Sequence, residues 1–156
     1  GSFTGLRVGC SVVQGLGYGL KAPIIPISSL RITAQQAIEK LNSKNIVVIN
    51  DAHMEELYVG EYKCSKNIAV NLKPDYSIHR DEINKLVNSF PQDFAFIGNA
   101  VHFIKKDLQR KIFYDFTPKA NFSFNIADYL ILNQKFVPAE KVTINYLSGE
   151  SQWKRV

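Results

Sequence analysis

The sequence predicts an α/β fold, and three observations lead there. Short β-branched or aromatic runs, such as Ile46-Val47-Val48-Ile49 and Phe94-Ala95-Phe96-Ile97, read as buried strands. Segments of helical period, closed by proline or by polar breaks, separate the later runs. In order, residues 46 to 136 read β-β-β-α-β-α-β-α, a three-strand antiparallel meander followed by parallel strands reached through helical crossovers. That order is the ribonuclease H-like plan. The opening α-β-α looks like the tail of a second unit of the same kind, so the first unit is expected to be incomplete.

The first helix is expected to run to about Leu20, with Ser2 and Thr4 as helix-start residues. Its polar positions Arg7, Ser11, Gln14, Tyr18 and Lys21 recur at helical spacing and form one narrow stripe. Everything else from Leu6 onward is apolar or very small, which predicts burial on most sides. The five glycines from Gly5 to Gly19 each weaken an isolated helix by about 1 kcal/mol relative to Ala, and make sense where other backbones approach closely.

Lys21-Ala22-Pro23 breaks the helix, and Ile24 to Ile27 reads as a short strand kept to an edge by Pro23 and Pro26. Ser28 and Ser29 can cap a helix from Leu30 to about Leu41. The polar break Asn42-Ser43-Lys44-Asn45 is the expected boundary, giving units 1–43 and 44–156. Strands follow at Ile46–Asn50, Leu57–Lys63 and Ile68–Leu72. Ser77 is read as the cap of a helix over Ile78–Phe90, with Asp81 and Glu82 in its first turn. A strand at Phe94–Ile97, closed by Gly98-Asn99, precedes a helix over Val101–Arg110, and a strand at Ile112–Phe116 follows. A last helix is expected from Asn121 or Ser123 through Phe136, then an extended piece from Val142 to Leu147.

The chain of 156 residues is long enough for a real core, and 46 % apolar with 21 % charged residues is ordinary for a globular protein. No apolar run is long enough to span a membrane, and no signal peptide is read near the start. Two cysteines, Cys10 and Cys64, make no disulfide framework and point to a reduced, cytoplasmic protein. A net charge of +5 permits contact with nucleic acid or an acidic partner without demanding it.

Asp51, His53, Glu55 and Glu56 stand together after the first strand of the second unit. An Asp-x-His pair with a nearby Glu can ligate a metal, so a small metal-dependent hydrolase using Asp51, His53 and Glu55 is one alternative. A polar hairpin with solvated charges is the simpler account, because His53 has no His or Cys companion at metal spacing. His79 and His102 stand alone. Gly1, Gly5 and Gly9 match neither a P-loop nor a dinucleotide fingerprint, although a helix N-terminus attracts phosphate. Lys105, Lys106, Arg110 and Lys111, beside Phe103, Phe113 and Tyr114, have the composition of a phosphate-contacting patch, or of a solvated helix face. No Ser-His-Asp or Cys-His set is visible.

Three ordered blocks resemble one family. Gly1-Ser2-Phe3-Thr4-Gly5-Leu6-Arg7-Val8-Gly9, with Gln14-Gly15-Leu16 and Pro23-Ile24-Ile25-Pro26-Ile27-Ser28-Ser29-Leu30, is similar to the signature of the TsaB (YeaZ) family. Asn50-Asp51-Ala52-His53-Met54-Glu55-Glu56-Leu57-Tyr58 resembles that family's DAR-x-x-E-x-Y hairpin, with His53 where the family has Arg. Ile144-Asn145-Tyr146-Leu147 and Gln152-Trp153-Lys154 resemble its ending. The resemblance implies membership of the actin-like ATPase superfamily, with further strands and a helix ahead of the first block. It implies a non-catalytic scaffold subunit, without cofactor or metal of its own, in threonylcarbamoyladenosine synthesis on tRNA. The partners it implies are the paralogue TsaD and the ATPase TsaE, with tRNA reached through the complex, and a homodimer as an alternative. On that basis Arg7, Cys10, Ser11, Gln14 and Tyr18 are expected to face the partner, and Gly9, Val12, Val13, Leu16 and Leu20 to pack on the subdomain's own sheet.

Overall fold

A computed structural model describes residues 3–113 and 116–147. It opens with α1 (Phe3–Leu20) and α2 (Ser29–Leu41). The strands β1 (Asn45–His53) and β2 (Glu56–Ser65) form an antiparallel hairpin. Two short strands, β3 (Ile68–Asn71) and β4 (Tyr76–His79), share the outer edge of β2, the first beside residues 62–65 and the second beside residues 56–59. A short helix α3 (Ile83–Asn88) leads to β5 (Phe94–Ile97), which lies parallel to β1. β6 (Lys111–Phe113) pairs parallel with β5, and α4 (Phe124–Leu132) follows. The result is one six-stranded mixed sheet in the order β3-β2-β1-β5-β6, with β4 also on β2. Among the described residues no helix is long and apolar enough to cross a membrane.

β1 is central because its apolar side chains are consecutive rather than alternating, so both of its faces must be covered. Ile46 and Val48 point one way, where Leu30, Ala34, Ala37 and Ile38 of α2 pack with Tyr62, Ala69 and Ile97. Val47 and Ile49 point the other way, onto Leu57, Val59 and Phe96, with Ile83 and Val87 of α3 and the turn residues Val101 and Ile104 above them. Fully burying a side chain of this size contributes about 1.5–3 kcal/mol. α2 lies before the boundary expected at residues 42–45, yet it covers one whole face of the sheet that follows.

One carboxylate ties α2 to the sheet. Ser28 caps α2 by accepting from the Leu30 amide, and its hydroxyl donates to Asp75 Oδ2 at 2.5 Å. The buried Tyr62 hydroxyl donates to Asp75 Oδ1 at 2.7 Å, and Asn71 Nδ2 donates to the same oxygen at 3.2 Å. Burial, reinforced by the charge of Asp75, pushes the Tyr62 phenol well above its ordinary range, so it stays a donor.

Several elements depart from the sequence reading. Ser77 does not cap a helix: Tyr76–His79 is a strand, because the free edge of β2 takes up these residues first. The cap is His79, whose ring accepts from the Asp81 amide while Glu82 accepts from the His79 amide, and the helix starts only after the 3₁₀ turn Arg80–Glu82. Val101–Arg110 is no α-helix but two 3₁₀ turns, Val101–Phe103 and Lys106–Leu108. Val101 and Ile104, three apart, both enter the core, which the 3₁₀ period satisfies as well as the α period does. Ile24–Ile27 makes only an isolated bridge, between Ile24 and Val137. α4 stops at Leu132 rather than Phe136, because Gln134 turns left-handed and the Gln134 and Lys135 amides close back on Ile131 and Leu130. Val142–Leu147 forms no strand, although its burial alternates as an extended segment's would. Tyr114 and Asp115 of the expected fifth strand, and Gln152-Trp153-Lys154, lie outside the described residues.

At Gly98 the chain leaves β5 with φ of 128°, and an added Cβ would sit 2.2 Å from the Ile49 carbonyl oxygen. The Gly98→Ala variant is therefore expected to lose at least about 3 kcal/mol, from forced backbone plus the clash, read as the urea midpoint of unfolding. An unchanged midpoint would mean the β1–β5 end is not as close as described.

Candidate partner interface

α1 begins at Phe3, inside the first of the three blocks, and ends on a left-handed Lys21. The Ala22 amide reaches back to Gly17 O at 2.9 Å and the Lys21 amide to Tyr18 O at 3.3 Å, the double closure that terminates a helix sharply. The helix then meets the rest of the chain along one side. Gly17 is its contact point: an added Cβ there would lie 3.0 Å from both Ala139 Cβ and Ile24 Cδ1. Gln14 Nε2 donates to Val142 O at 2.9 Å, and Arg7 Nε donates to Tyr146 OH at 3.2 Å. Cys10 lies half-buried on the same side, between these two anchors. The segment from Val137 to Leu147 thus straps α1 to the body, with the Ile24–Val137 bridge at one end. At the other end the Leu147 carbonyl accepts from Ser77, and the Leu147 side chain packs against the α2 face of the core. The first and last sequence blocks, more than a hundred positions apart, meet at Arg7 and Tyr146.

The remaining surface of α1 is open. Val8, Val12 and Leu16 recur every fourth residue, Leu6, Val13 and Leu20 every seventh, and all six share one exposed arc. Val12 is 55 % exposed, Leu16 59 % and Leu20 75 %. This corrects two expectations. α1 is not buried on most sides, and Gly9, Val12, Val13, Leu16 and Leu20 pack on no sheet among the described residues. The physical reason is that the body touches α1 through its polar stripe, where Arg7 and Gln14 find hydrogen-bond partners. Of the stripe, Ser11 and Tyr18 remain exposed, Tyr18 at 78 %. Only one of the glycines measured on α1 answers the expected close approach: Gly17 does, while Gly9, Gly15 and Gly19 face open space. An open, mostly apolar recess of about 590 Å³ sits at the C-terminal end of the helix, lined by Gly17, Tyr18, Pro23, Phe136 and Pro138.

The polar hairpin does not assemble a metal centre. Asp51 Oδ1 accepts from the His53 amide, while Glu55 pairs with Arg80 at 2.8 Å. His79 stands between Glu55 and Asp81 at 3.7 and 3.4 Å, with all three side chains well exposed. His53, Met54 and Glu55 all have positive φ, so the backbone turns by consecutive left-handed residues. Among the described residues no three His, Cys, Asp or Glu side chains converge as metal ligands would. His102 is bound through Nδ1 to Asn99 O. In the basic segment, Arg110 is a structural clamp that donates to the Phe90 and Pro91 carbonyls, which leaves Lys105, Lys106 and Lys111 in solvent.

A family model described as TsaD, tRNA N6-adenosine threonylcarbamoyltransferase, matches residues 1–145. A Haemophilus influenzae protein named tRNA threonylcarbamoyladenosine biosynthesis protein TsaB is 30 % identical over 172 aligned positions, covering 100 % of this chain and 70 % of that protein. An Escherichia coli protein of the same name is 40 % identical over 67 positions, covering 43 % of this chain and 29 % of its own length. A solved Pseudomonas aeruginosa structure, described as an uncharacterized protein with similarity to peptidase YEAZ, superposes with a TM-score of 0.84 at 25 % identity, covering 94 % of this chain and 69 % of that one. YeaZ from Pseudomonas aeruginosa superposes with a TM-score of 0.82 at 24 % identity.

If the strap holds α1 through Gly17, a larger side chain there should release it. Gly17→Val is expected to speed hydrogen exchange of the α1 amides about tenfold or more, while β1 amides stay protected. Unchanged α1 exchange would show that the strap does not depend on this contact.

Proposed function

The chain belongs to the TsaB (YeaZ) family, and from that membership we propose that it is a non-catalytic subunit in the synthesis of threonylcarbamoyladenosine on tRNA. In this reading the chain pairs with a TsaD-type paralogue in the cytoplasm, with the TsaE ATPase joining them. The paralogue carries the chemistry on the adenosine next to the anticodon, and tRNA is brought to the chain through that complex. The family model bears the transferase's description while the curated relatives are TsaB proteins, as paralogues of common ancestry would give. The sheet order, antiparallel on one side of β1 and parallel on the other, supports ribonuclease H-like ancestry of the actin-like ATPase type for residues 44–156.

The observation that carries the proposal is the uncovered apolar arc of α1. Six exposed aliphatic side chains on one helix are unusual for a surface meant to stay in water. The partner takes the edge formed by Val8, Ser11, Gly15 and Tyr18, where glycine and serine allow a second helix to come close. Arg7, Cys10 and Gln14 then form the border of the interface, beside the strap. The alternative hydrolase built on Asp51, His53 and Glu55 receives no support from the hairpin geometry.

Mixing the chain with the TsaD-type paralogue of the same organism should give a one-to-one complex by size exclusion with light scattering. Ser11→Arg and Val8→Glu should each weaken it by at least about tenfold, a loss of about 1.4 kcal/mol. A homodimer that ignores the paralogue would overturn the pairing and favour self-association through the same helix. A complex indifferent to both variants would move the interface off α1.

A further inference from the structure

A second cleft, on the other side of the molecule's strap, carries an unusual cation. It encloses about 540 Å³ between the start of α2, the end of β3 and the C-terminal end of α4. Arg31, Asn71, Tyr129, Asn133, Lys135 and Phe136 line it, and among the described residues no Asp or Glu does. Arg31 is half-buried, and its Nε donates to Ala69 O at 2.8 Å, which fixes the plane of the guanidinium. Its two terminal nitrogens have no hydrogen-bond partner among the described residues, and no carboxylate pairs with it. Asp75, whose charge Arg31 does feel, has its oxygens taken by Ser28, Tyr62 and Asn71. Burial lowers the Arg31 pKa from its ordinary value, with the charge of Asp75 opposing it in part, and among the described residues no ion pair offsets the remaining desolvation cost.

The helix end that faces this cleft does not supply the missing negative charge. The last carbonyls of α4 are already occupied: Tyr129 O by Asn133, Leu130 O by Lys135 and Ile131 O by Gln134. The left-handed turn at Gln134, with φ of 53°, carries the chain round so that Lys135 and Phe136 line the cleft together with Tyr129. Two cations, amide side chains and two partly exposed aromatic rings in a cavity without carboxylates match one ligand chemistry. A phosphate takes the guanidinium fork and the ammonium, and a flat base takes a ring face.

We propose that this cleft binds a nucleotide unit, with its phosphate on Arg31 and Lys135 and its base against Tyr129 or Phe136. The unit is either a free mononucleotide or one residue of a single-stranded RNA. The inference stands on the cleft alone and is independent of the pairing through α1.

The test is a titration of the full chain at low ionic strength with AMP, with a short single-stranded oligoadenylate and with inorganic phosphate. Binding of AMP assigns the site to a free nucleotide, and binding of the oligonucleotide alone assigns it to a strand; either result supports the proposal. Arg31→Gln should weaken binding by about tenfold and Lys135→Gln by about threefold, because each removes a charge from the phosphate. Arg31→Lys should recover only part of the loss, since it keeps the charge and loses the fork. The double change Lys105→Gln with Lys106→Gln, outside the cleft, should leave affinity within about twofold. Lys135 is exposed, so its variant keeps the test sound even where Arg31→Gln unfolds the chain. No binding of AMP or oligonucleotide at millimolar concentration overturns the proposal. So does AMP binding no tighter than phosphate, or an equal loss in the Lys105 and Lys106 variant.

Discussion

The two-sided burial of β1 organises the sheet and the layers that cover it. Ile46, Val47, Val48 and Ile49 are all withdrawn from water, so neither face of the strand can be left to solvent. One face recruits α2 and the other recruits α3 with the turn at Val101–Ile104. Asp75 then locks the layers together by accepting from the cap of α2, from the buried hydroxyl of Tyr62 and from the end of β3. Removing any one of those donors leaves a carboxylate short of a partner in a half-buried place, which costs more than the bond itself contributes.

The strap is the second tier of the structure, and α1 depends on it. The helix has too many glycines to be rigid alone, and it touches the body mainly through the segment beyond α4. Gln14 and Arg7 bond to the strap, and Gly17 packs against it. The broad apolar side of α1 is left over once these contacts are made. A helix held lightly on one side and apolar on the other is suited to exchanging water for another protein surface, because covering each half-exposed aliphatic side chain returns about 1 kcal/mol.

The sheet was legible in the sequence because its central strands are continuous apolar runs bounded by polar breaks, a local signal. β1, β2, β3 and β5 fall where the runs are, and α2 falls where Ser28 and the helical period place it. β4 was not legible: Tyr76 to His79 is too short for its period to count, and the acidic pair Asp81-Glu82 marks a helix start that sits after His79 rather than Ser77. The side of α1 that meets the body was not legible for a related reason. The polar stripe was expected to face a partner, yet Arg7 and Gln14 find acceptors at Tyr146 and Val142, and nothing local to residues 7–14 announces residues so distant. Arg31 escaped notice likewise, because a lone arginine in an amphipathic helix reads as a surface charge until the cleft around it is seen.

The role of α1 turns on whether a partner covers its apolar side. Hydrogen–deuterium exchange of the α1 amides, in the chain alone and after saturation with a TsaD-type paralogue, tests that directly. Fast exchange is expected in the isolated chain and a slowing of about tenfold or more across residues 8–19 in the complex, with β1 unchanged in both. A complex that forms while the α1 amides exchange as before would contradict a partner interface on α1.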